Sequence, residues 1–456
     1  MDDAMTDVTR RLSEYAANAR NRPIPDDVQE VTRLHLLDTL AAIVSGSQLP
    51  SGIAGARYAA ATQGNPAGSV LGSRVSSDPI AAAIANGMAA HADESDDSHE
   101  TSLTHPGCGI LPAALAAGEI TSSSGTDLER ALALGYDITG RFGEVLCDVM
   151  SPFRSSLATH AWGPLFGAGF AGSSLSRFNA DQFVTLLSYL IQEASGVTTW
   201  TLDQQHVLKS YVYGGMPAGG AMRALRFTQL GFSGSGDVLD PGRRNLLDAL
   251  GIDPARSAHL VAGLGERWIM RETDIKSHPL GYPLIAPVSV VERLVRDQQV
   301  RVDDVIAVRV FYHPDWYTVT AASPMPDVNL PHCIATTLID GRLTFAASHE
   351  ESRMSDPAVL ALRERITLLG PVSYLGRFDV RIEIDLVDRT IAGEQVGDVL
   401  GRASNPMSRE QVETKARELL EPVLGSERTA ALITMTRDLH RVGDVSELIA
   451  AARPIG

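Results

Sequence analysis

Apolar side chains recur three and four positions apart through most of the first 270 residues. After Pro25-Asp26-Asp27, residues Val28, Val31, Leu34, Leu37, Leu40 and Ile43 fall on one helical face. The same spacing predicts helices over Pro79–Ala92, Ile110–Ile120, Leu128–Val145, Phe166–Ser174, Asp181–Glu193 and Met216–Leu230, the last stopped by Gly231. The joining segments are rich in Gly, Ser, His and Asp, so the loops of a helical bundle are expected to converge on a site.

The pattern changes near residue 270. Val305–Tyr312 and Phe378–Val387 alternate apolar with polar positions and read as strands, and Leu343–Ala346 is a short strand candidate. Leu284–Val295 ahead of them reads as a helix. Helical spacing returns at Ser408-Arg409-Glu410-Gln411, a capping box, and again over Val445–Arg453. The expected fold class is mainly α: a large all-helical domain formed by 1–274 and 406–456, with a smaller α/β lid domain, 275–405, inserted in it.

A length of 456 residues favours two domains over one core. Hydrophobic residues at 44%, charged residues at 21% and a mean hydropathy of +0.00 fit a soluble globular chain. Aromatics are only 5%, so closely packed Ala- and Gly-rich helices must supply much of the core. A formal net charge of -16 without a Lys/Arg run excludes an ordinary nucleic-acid binder. It also means that an anionic substrate needs a locally basic pocket. Cys108, Cys147 and Cys333 form no CxxC pair, which argues against a disulfide framework or zinc cluster and for a reducing, cytoplasmic setting. Met1–Asn18 lacks the apolar stretch of a signal peptide, and no uncharged apolar run reaches membrane-spanning length.

The segment from His91 to His105 concentrates the candidate chemistry. It holds His91, Asp93, Glu94, Asp96, Asp97, His99, Glu100 and His105 between two Ala-rich helices. Two main readings stand: a solvated acidic loop in which Asp96 or Asp97 caps a helix or turn, and an acid–base cluster led by His105. A metal site is a third, weaker reading, since no HExxH or cysteine pair supports it. His160, in Thr159-His160-Ala161-Trp162, is either a structural or a catalytic imidazole. The chain has three lysines, Lys209, Lys276 and Lys415. Lys209 stands beside Tyr211, Tyr213 and Gly214-Gly215-Met216-Pro217; an exposed lysine is its plain reading and a carboxylate-binding one its functional reading. Lys276 and His278 lie at the expected domain join, where ligand sites are common. His332 precedes an apolar helix and is open to burial, capping or substrate contact. Gly231–Gly236 follows no strand and lacks a Lys-Ser/Thr ending, so it makes a poor phosphate loop, and no GxSxG elbow occurs.

His91-Ala92 with Glu94, Asp96-Asp97 and His105-Pro106-Gly107 resembles the MmgE/PrpD family, whose usual form is His-Ala-x-Asp-x-Asp-Asp followed by His-Pro. So do Lys209 with Tyr213-Gly-Gly-Met-Pro217, Thr273-Asp-Ile-Lys276, Met325-Pro326 through His332, Ile339-Asp340-Gly341, Arg353-Met-Ser-Asp356-Pro and Asn405-Pro-Met407-Ser. The likeness runs from about residue 8 to 450. It implies a helical domain with a smaller lid, a homodimer, and cofactor-free enzymes such as 2-methylcitrate dehydratases, cis-aconitate decarboxylases and iminodisuccinate epimerases. Carried over, it makes His105, Glu94, Lys209 and Lys276 catalytic, with His160 in place of a second family histidine that has no clean match. Substrate contacts are expected from His91, Asp97, Tyr213, His278 and His332. Glu94 stands where the family usually has Asp, Leu157 and Thr159 where it has a His-Pro-Thr motif, and Gly281 where some members have a further histidine. The Gly-Gly-Met-Pro and Asn-Pro-Met pieces suggest a subgroup away from the best-known decarboxylases.

The expected function is therefore a lyase of dehydratase type acting on a small polycarboxylate such as a 2-methylcitrate-like hydroxy acid. It would need no cofactor or metal and no nucleic-acid or membrane partner. In this reading Lys209 and Lys276 hold substrate carboxylates between the helical domain and the lid, and a histidine moves a proton next to a carboxylate. Decarboxylation and epimerisation use the same chemistry and are the alternatives; a non-catalytic ligand-binding member is the rival from another class.

Overall fold

The computed structural model describes residues 7–454 apart from 63, 151–154, 243, 371 and 377; the side chains at 147–150, 159 and 318, including those of Cys147 and Thr159, also lie outside the described residues. The chain divides into two compact units. One comprises Met1–Ala92, Asp96–Asp274 and Ser408–Gly456, and the other Asp93–Ser95 and Ile275–Met407.

The first unit is helical. Its main elements are α1 (Val8–Ala19), α2 (Asp26–Gly46), α3 (Pro50–Ala61), α4 (Pro79–Ala90), α5 (Pro106–Thr121), α6 (Gly125–Met150), α7 (Trp162–Leu175) and α8 (Ala180–Glu193). There follow a single turn, α9 (Val207–Ser210), then α10 (Met216–Gln229) and the short α11 (Leu246–Ala249). Every residue of α7 is buried, as expected for a helix that is apolar all round. Small residues let its neighbours approach: a Cβ on Gly167 would meet Gly135 O of α6 at 2.3 Å, and one on Gly109 of α5 would meet Pro164 Cβ at 2.9 Å. The predicted helices are all present, with ends shifted by a few residues. Prolines at the first turns of α4 and α5 set two of those starts.

The second unit holds α12 (Ile285–Gln298), β3 (Val305–Phe311), α13 (Pro314–Thr320), α14 (Leu330–Asp340), α15 (Phe345–His349), α16 (Pro357–Arg363), β4 (Ile366–Leu369), β5 (Val380–Leu386) and β6 (Thr390–Gln395); β1 (Gly68–Ser69) and β2 (Ser76–Ser77) form a small hairpin in the first unit. The sheet order is β4-β3-β5-β6. β3 runs parallel to β4, with Val308 opposite Ile366, and antiparallel to β5, with Val308 opposite Ile384. Val380, Ile382 and Ile384 point inward and pack with Val288 and Val291 of α12 and Ile334 of α14, while the alternate Arg381, Glu383 and Asp385 are half-buried.

Two expectations are corrected here. Leu343–Ala346 is no strand: Thr344 caps a helical turn by accepting from Ala347 N, and α15 begins at Phe345. Asp93–Ser95, placed by sequence in the helical domain, packs with the second unit. Ser408 does make the expected capping box with Gln411, opening α17 (Arg409–Leu424), which is followed by α18 (Ser426–Arg437) and α19 (Val445–Ala451). Lys415 of α17 reaches back to α2, 2.6 Å from Asp38 Oδ1. Among the described residues, no helix is long and apolar enough to cross a membrane.

Candidate functional site

Between α9 and α10 the backbone forms a π-helical turn, Tyr211–Gly215, a geometry frequent at functional sites. The reason for its two glycines is contact with α4. A Cβ on Gly214 would meet Gly87 O at 2.0 Å, and a Cβ on Gly87 would meet Gly214 C at 2.5 Å, so these backbones touch only because both residues are glycine. The turn thereby brings Tyr213 against His91, which caps the C-terminus of α4.

A cluster of rings results. His91 and Tyr213 stack, and His160 stacks on Tyr213 with ring centroids 4.2 Å apart. His105 meets both His91 and Tyr213 edge-on, at 5.0 and 5.3 Å. Trp200 stands edge-on to His160 and Tyr213, and the Lys209 ammonium lies 5.6 Å from the Trp200 ring and 5.5 Å from the Tyr213 ring. Asp96 supplies the charge. One of its oxygens, Oδ2, is 2.8 Å from His91 Nδ1 and 3.4 Å from His105 Nδ1. Since a carboxylate only accepts, the His91 proton sits on Nδ1. Asp96 is fully buried, whereas the His105 side chain keeps 15% of its surface exposed.

Electrostatics follow burial. Burial pushes the His91 pKa well below the ordinary histidine value, against the pull of Asp96, and lowers that of His160 to about 3, with His105 and His91 adding to the effect. Both are neutral near pH 7. Among the described residues, neither ring nitrogen of the buried His160 has a hydrogen-bond partner. The Tyr213 phenol is raised well above its usual range, first by burial and then by Asp96, so it stays protonated.

Sequence reasoning brought His91, His105, His160, Lys209 and Tyr213 forward, and the structure places all five in this cluster. It corrects two plain readings. Lys209 is buried, not solvated, and Asp93, Glu94, Asp96 and Asp97 are each no more than 1% exposed, so this is no solvated acidic loop. Asp97 turns away from the rings. It accepts from Tyr136 Oη at 2.5 Å and from Gly107 N at 2.8 Å, and pairs with His35 Nδ1 at 2.8 Å. It therefore caps α5 from a distance, two residues beyond His105. The sequence reading gave Asp96 no role beyond capping and missed Trp200 and His206. His206 Nδ1 lies 2.9 Å from Ser210 Oγ and its ring 5.4 Å from His91. A lone tryptophan or histidine at a turn gives no periodic signal that could have found them.

Within the second unit, the fully buried Lys276 ammonium donates to Glu94 O at 2.9 Å and to its Oε2 at 3.2 Å. Glu94 has φ of 54°, a left-handed conformation that a side chain rarely adopts. Asp93 supports it by accepting from Ser95 N and Ser95 Oγ, at 2.9 and 2.7 Å. His278 is 3.0 Å from Glu292 Oε2 and 3.0 Å from Ser277 Oγ. His332, in the first turn of α14, is buried, and neither ring nitrogen finds a partner among the described residues; burial, then the charges of Arg363 and Arg353, lowers its pKa to about 4. As for cations, His91, Asp96 and Cys108 offer ligand atoms within 4.8 Å of one another, but Cys108 Sγ is turned toward the carbonyls of His105 and Tyr213.

The helical unit thus gathers a carboxylate–imidazole pair, two more imidazoles, a phenol and a lysine in one cluster. Residues 10–255 match the MmgE/PrpD N-terminal domain and residues 278–441 the MmgE/PrpD C-terminal domain. The chain belongs to the MmgE/PrpD family. It is 26% identical to the cis-aconitate decarboxylase-like protein oryM of Aspergillus oryzae, over 97% of this chain and 96% of that one. It is 24% identical to the cis-aconitate decarboxylase of Aspergillus terreus, over 98% and 96%, and 24% identical to the cis-aconitate decarboxylase of Homo sapiens, over 93% and 90%. Lyases are thus among its relatives.

Proposed function

We propose that the chain is a lyase that dehydrates a small β-hydroxy polycarboxylate by acid–base catalysis. The observation that carries this is the Asp96 oxygen that is hydrogen-bonded to His91 Nδ1 at 2.8 Å and lies 3.4 Å from His105 Nδ1, within ion-pair reach but without a hydrogen bond, with only His105 of the two reaching an accessible surface. A carboxylate behind Nδ1 orients an imidazole and stabilises the imidazolium formed when its other nitrogen takes a proton. His105 removes the proton from the carbon next to a substrate carboxylate. The electron pair moves through that carboxylate and then forms the carbon–carbon double bond. The neighbouring hydroxyl leaves as water with the proton returned by the His105 imidazolium. Lys209 holds a carboxylate and offsets the enolate charge. The neutral His160, with both nitrogens unsatisfied, offers the substrate a hydrogen bond in place of the missing family histidine. Lys276 and Glu94, both in the second unit, hold each other, with the Lys276 ammonium donating to the Glu94 carboxylate.

Decarboxylation is the second reading, favoured by the relatives that are named cis-aconitate decarboxylases. There a carboxylate of an unsaturated acid leaves as CO₂, the electron pair passes to the conjugated carboxylate, and the His105 imidazolium delivers its proton to carbon.

The test is turnover of hydroxy- and unsaturated polycarboxylates, followed by ultraviolet absorbance for the new double bond and by CO₂ release. His105→Ala is expected to lower the rate by roughly two to four orders of magnitude. Ligand binding with neither turnover nor exchange of substrate α-protons in deuterated water would establish the non-catalytic rival instead.

A further inference from the structure

On the same helical unit, apart from the ring cluster, three chain segments bring together His99, Glu144 and Glu272. One ligand atom of each lies within 4.8 Å of the others. Glu144 belongs to α6. His99 opens a turn closed by paired backbone bonds with Thr104, at 2.9 and 3.3 Å, and Glu272 ends the 3-10 turn Ile269–Glu272. Ser98 and Asp274 exchange backbone hydrogen bonds at 3.0 and 2.7 Å, which fixes His99 beside Glu272. The turn can lie on α6 because residue 143 is glycine: a Cβ there would meet Ser102 Cβ at 2.4 Å.

His99 is 1% exposed. Its Nδ1 lies 2.8 Å from Ser102 Oγ, which is itself 2.6 Å from Thr104 Oγ1. With the Ser102 hydroxyl directed at Thr104, Nδ1–H donates to Ser102 and Nε2 presents a lone pair. That Nε2 is buried and has no hydrogen-bond partner among the described residues. A hydroxyl oxygen holding one ring nitrogen, with an open lone pair on the other, is the arrangement around metal-bound imidazoles.

Arg267 now stands in the position of a cation. It bonds Glu144 at 2.9 and 2.6 Å and Glu272 at 2.7 Å, but its side chain is 42% exposed and leaves His99 Nε2 unanswered. The guanidinium reaches both carboxylates from the exposed side, and a divalent cation that also engages His99 Nε2 can replace it as it swings to solvent.

We propose that His99 Nε2, Glu144 and Glu272 form a divalent metal site for zinc-class ions, with Arg267 as its displaceable stand-in. One imidazole and two carboxylates suit Zn²⁺ or Co²⁺ and leave a coordination position for water. The site is independent of the lyase reading.

The full chain is titrated with Co²⁺, monitored by calorimetry and visible absorption. One equivalent is expected, with d–d bands and no thiolate charge transfer. His99→Ala should weaken it about tenfold or more, and the rim variant Glu272→Gln, which leaves the buried turn untouched, should weaken it as well. Arg267→Ala should tighten it about two- to fivefold. The proposal is overturned if neither the parent chain nor Arg267→Ala binds Co²⁺. Binding that persists unchanged in Glu272→Gln, or a thiolate band pointing to Cys108, overturns it equally.

Discussion

The His91 and Tyr213 rings lie parallel, with centroids 4.3 Å apart and planes within 3°. Because His160 also stacks on Tyr213, one phenol ring holds two imidazoles from distant parts of the chain. Tyr213→Ala is expected to destabilise the fold by about 3–5 kcal/mol in urea denaturation. Tyr213→Phe keeps the stack and should stay within about 1.5 kcal/mol of the parent. Equal losses in both variants would mean that the hydroxyl, not the stack, is what matters.

Asp96 is predicted to act through His105. Asp96→Asn keeps size but replaces an acceptor by an amide, so Nδ1 of His105 loses its orienting charge. Turnover should fall by roughly two to four orders of magnitude, with a smaller change in KM. An unchanged kcat would detach Asp96 from the chemistry.

The buried imidazoles set an acid limit on stability. His160 has a folded-state pKa of about 3, well under the unfolded value near 6.5. Between these values the unfolded chain binds more protons than the folded one, so stability is complete above about pH 6.5 and is lost progressively as pH falls toward 3. Urea midpoints measured from pH 7 to pH 4 should fall steadily, and His160→Gln should flatten that slope. The loss per pH unit is at most about 1.4 kcal/mol for such a group.

The Asp97 network predicts a stability effect remote from the rings. Tyr136→Phe deletes one bond to a buried carboxylate and should cost about 1.5–3 kcal/mol. Asp97→Ala strands the Tyr136 hydroxyl, His35 and the Gly107 amide together and should cost more. A neutral outcome in denaturant titration for Asp97→Ala would contradict this account of the α5 start.

Lys276 and Glu94 form a buried ion pair, so removing one partner leaves a desolvated charge behind. Lys276→Met is expected to cost about 3–5 kcal/mol, and the double variant Lys276→Met with Glu94→Gln should recover part of it. Additive losses in that cycle would rule out direct coupling.

Much of the scaffold was legible because it rests on local signals. The 3.6-residue spacing of α2, the prolines that open α4 and α5, the Ser408 capping box and the alternation in Val380–Leu386 each reflect physics within a few residues. The failures have equally local causes. Leu343–Ala346 looked like a strand because its apolar residues outweighed one threonine, yet the threonine cap decided the outcome. β4 and β6 were missed because edge strands are short and half-buried and carry weak patterns. At the site, ionisable residue types named His91, His105, His160 and Lys209. Their burial was not legible, because composition cannot distinguish a solvated acidic loop from one enclosed by aromatic rings and glycine-lined helices. Asp96 and Asp97 are neighbours of the same residue type, and only tertiary contacts assign one to the imidazoles and the other to the α5 N-terminus.

The short excursion Asp93–Ser95 has a consequence for anyone dissecting the molecule. Because those three residues belong with Ile275–Met407, excising 275–407 as a continuous fragment severs Lys276 from the Glu94 carbonyl and carboxylate to which its ammonium donates. The polypeptide is stitched rather than strung: its smaller body becomes whole only when a tripeptide from far upstream is supplied, which ties that body's maturation to synthesis of the segment bearing His91 and Asp96.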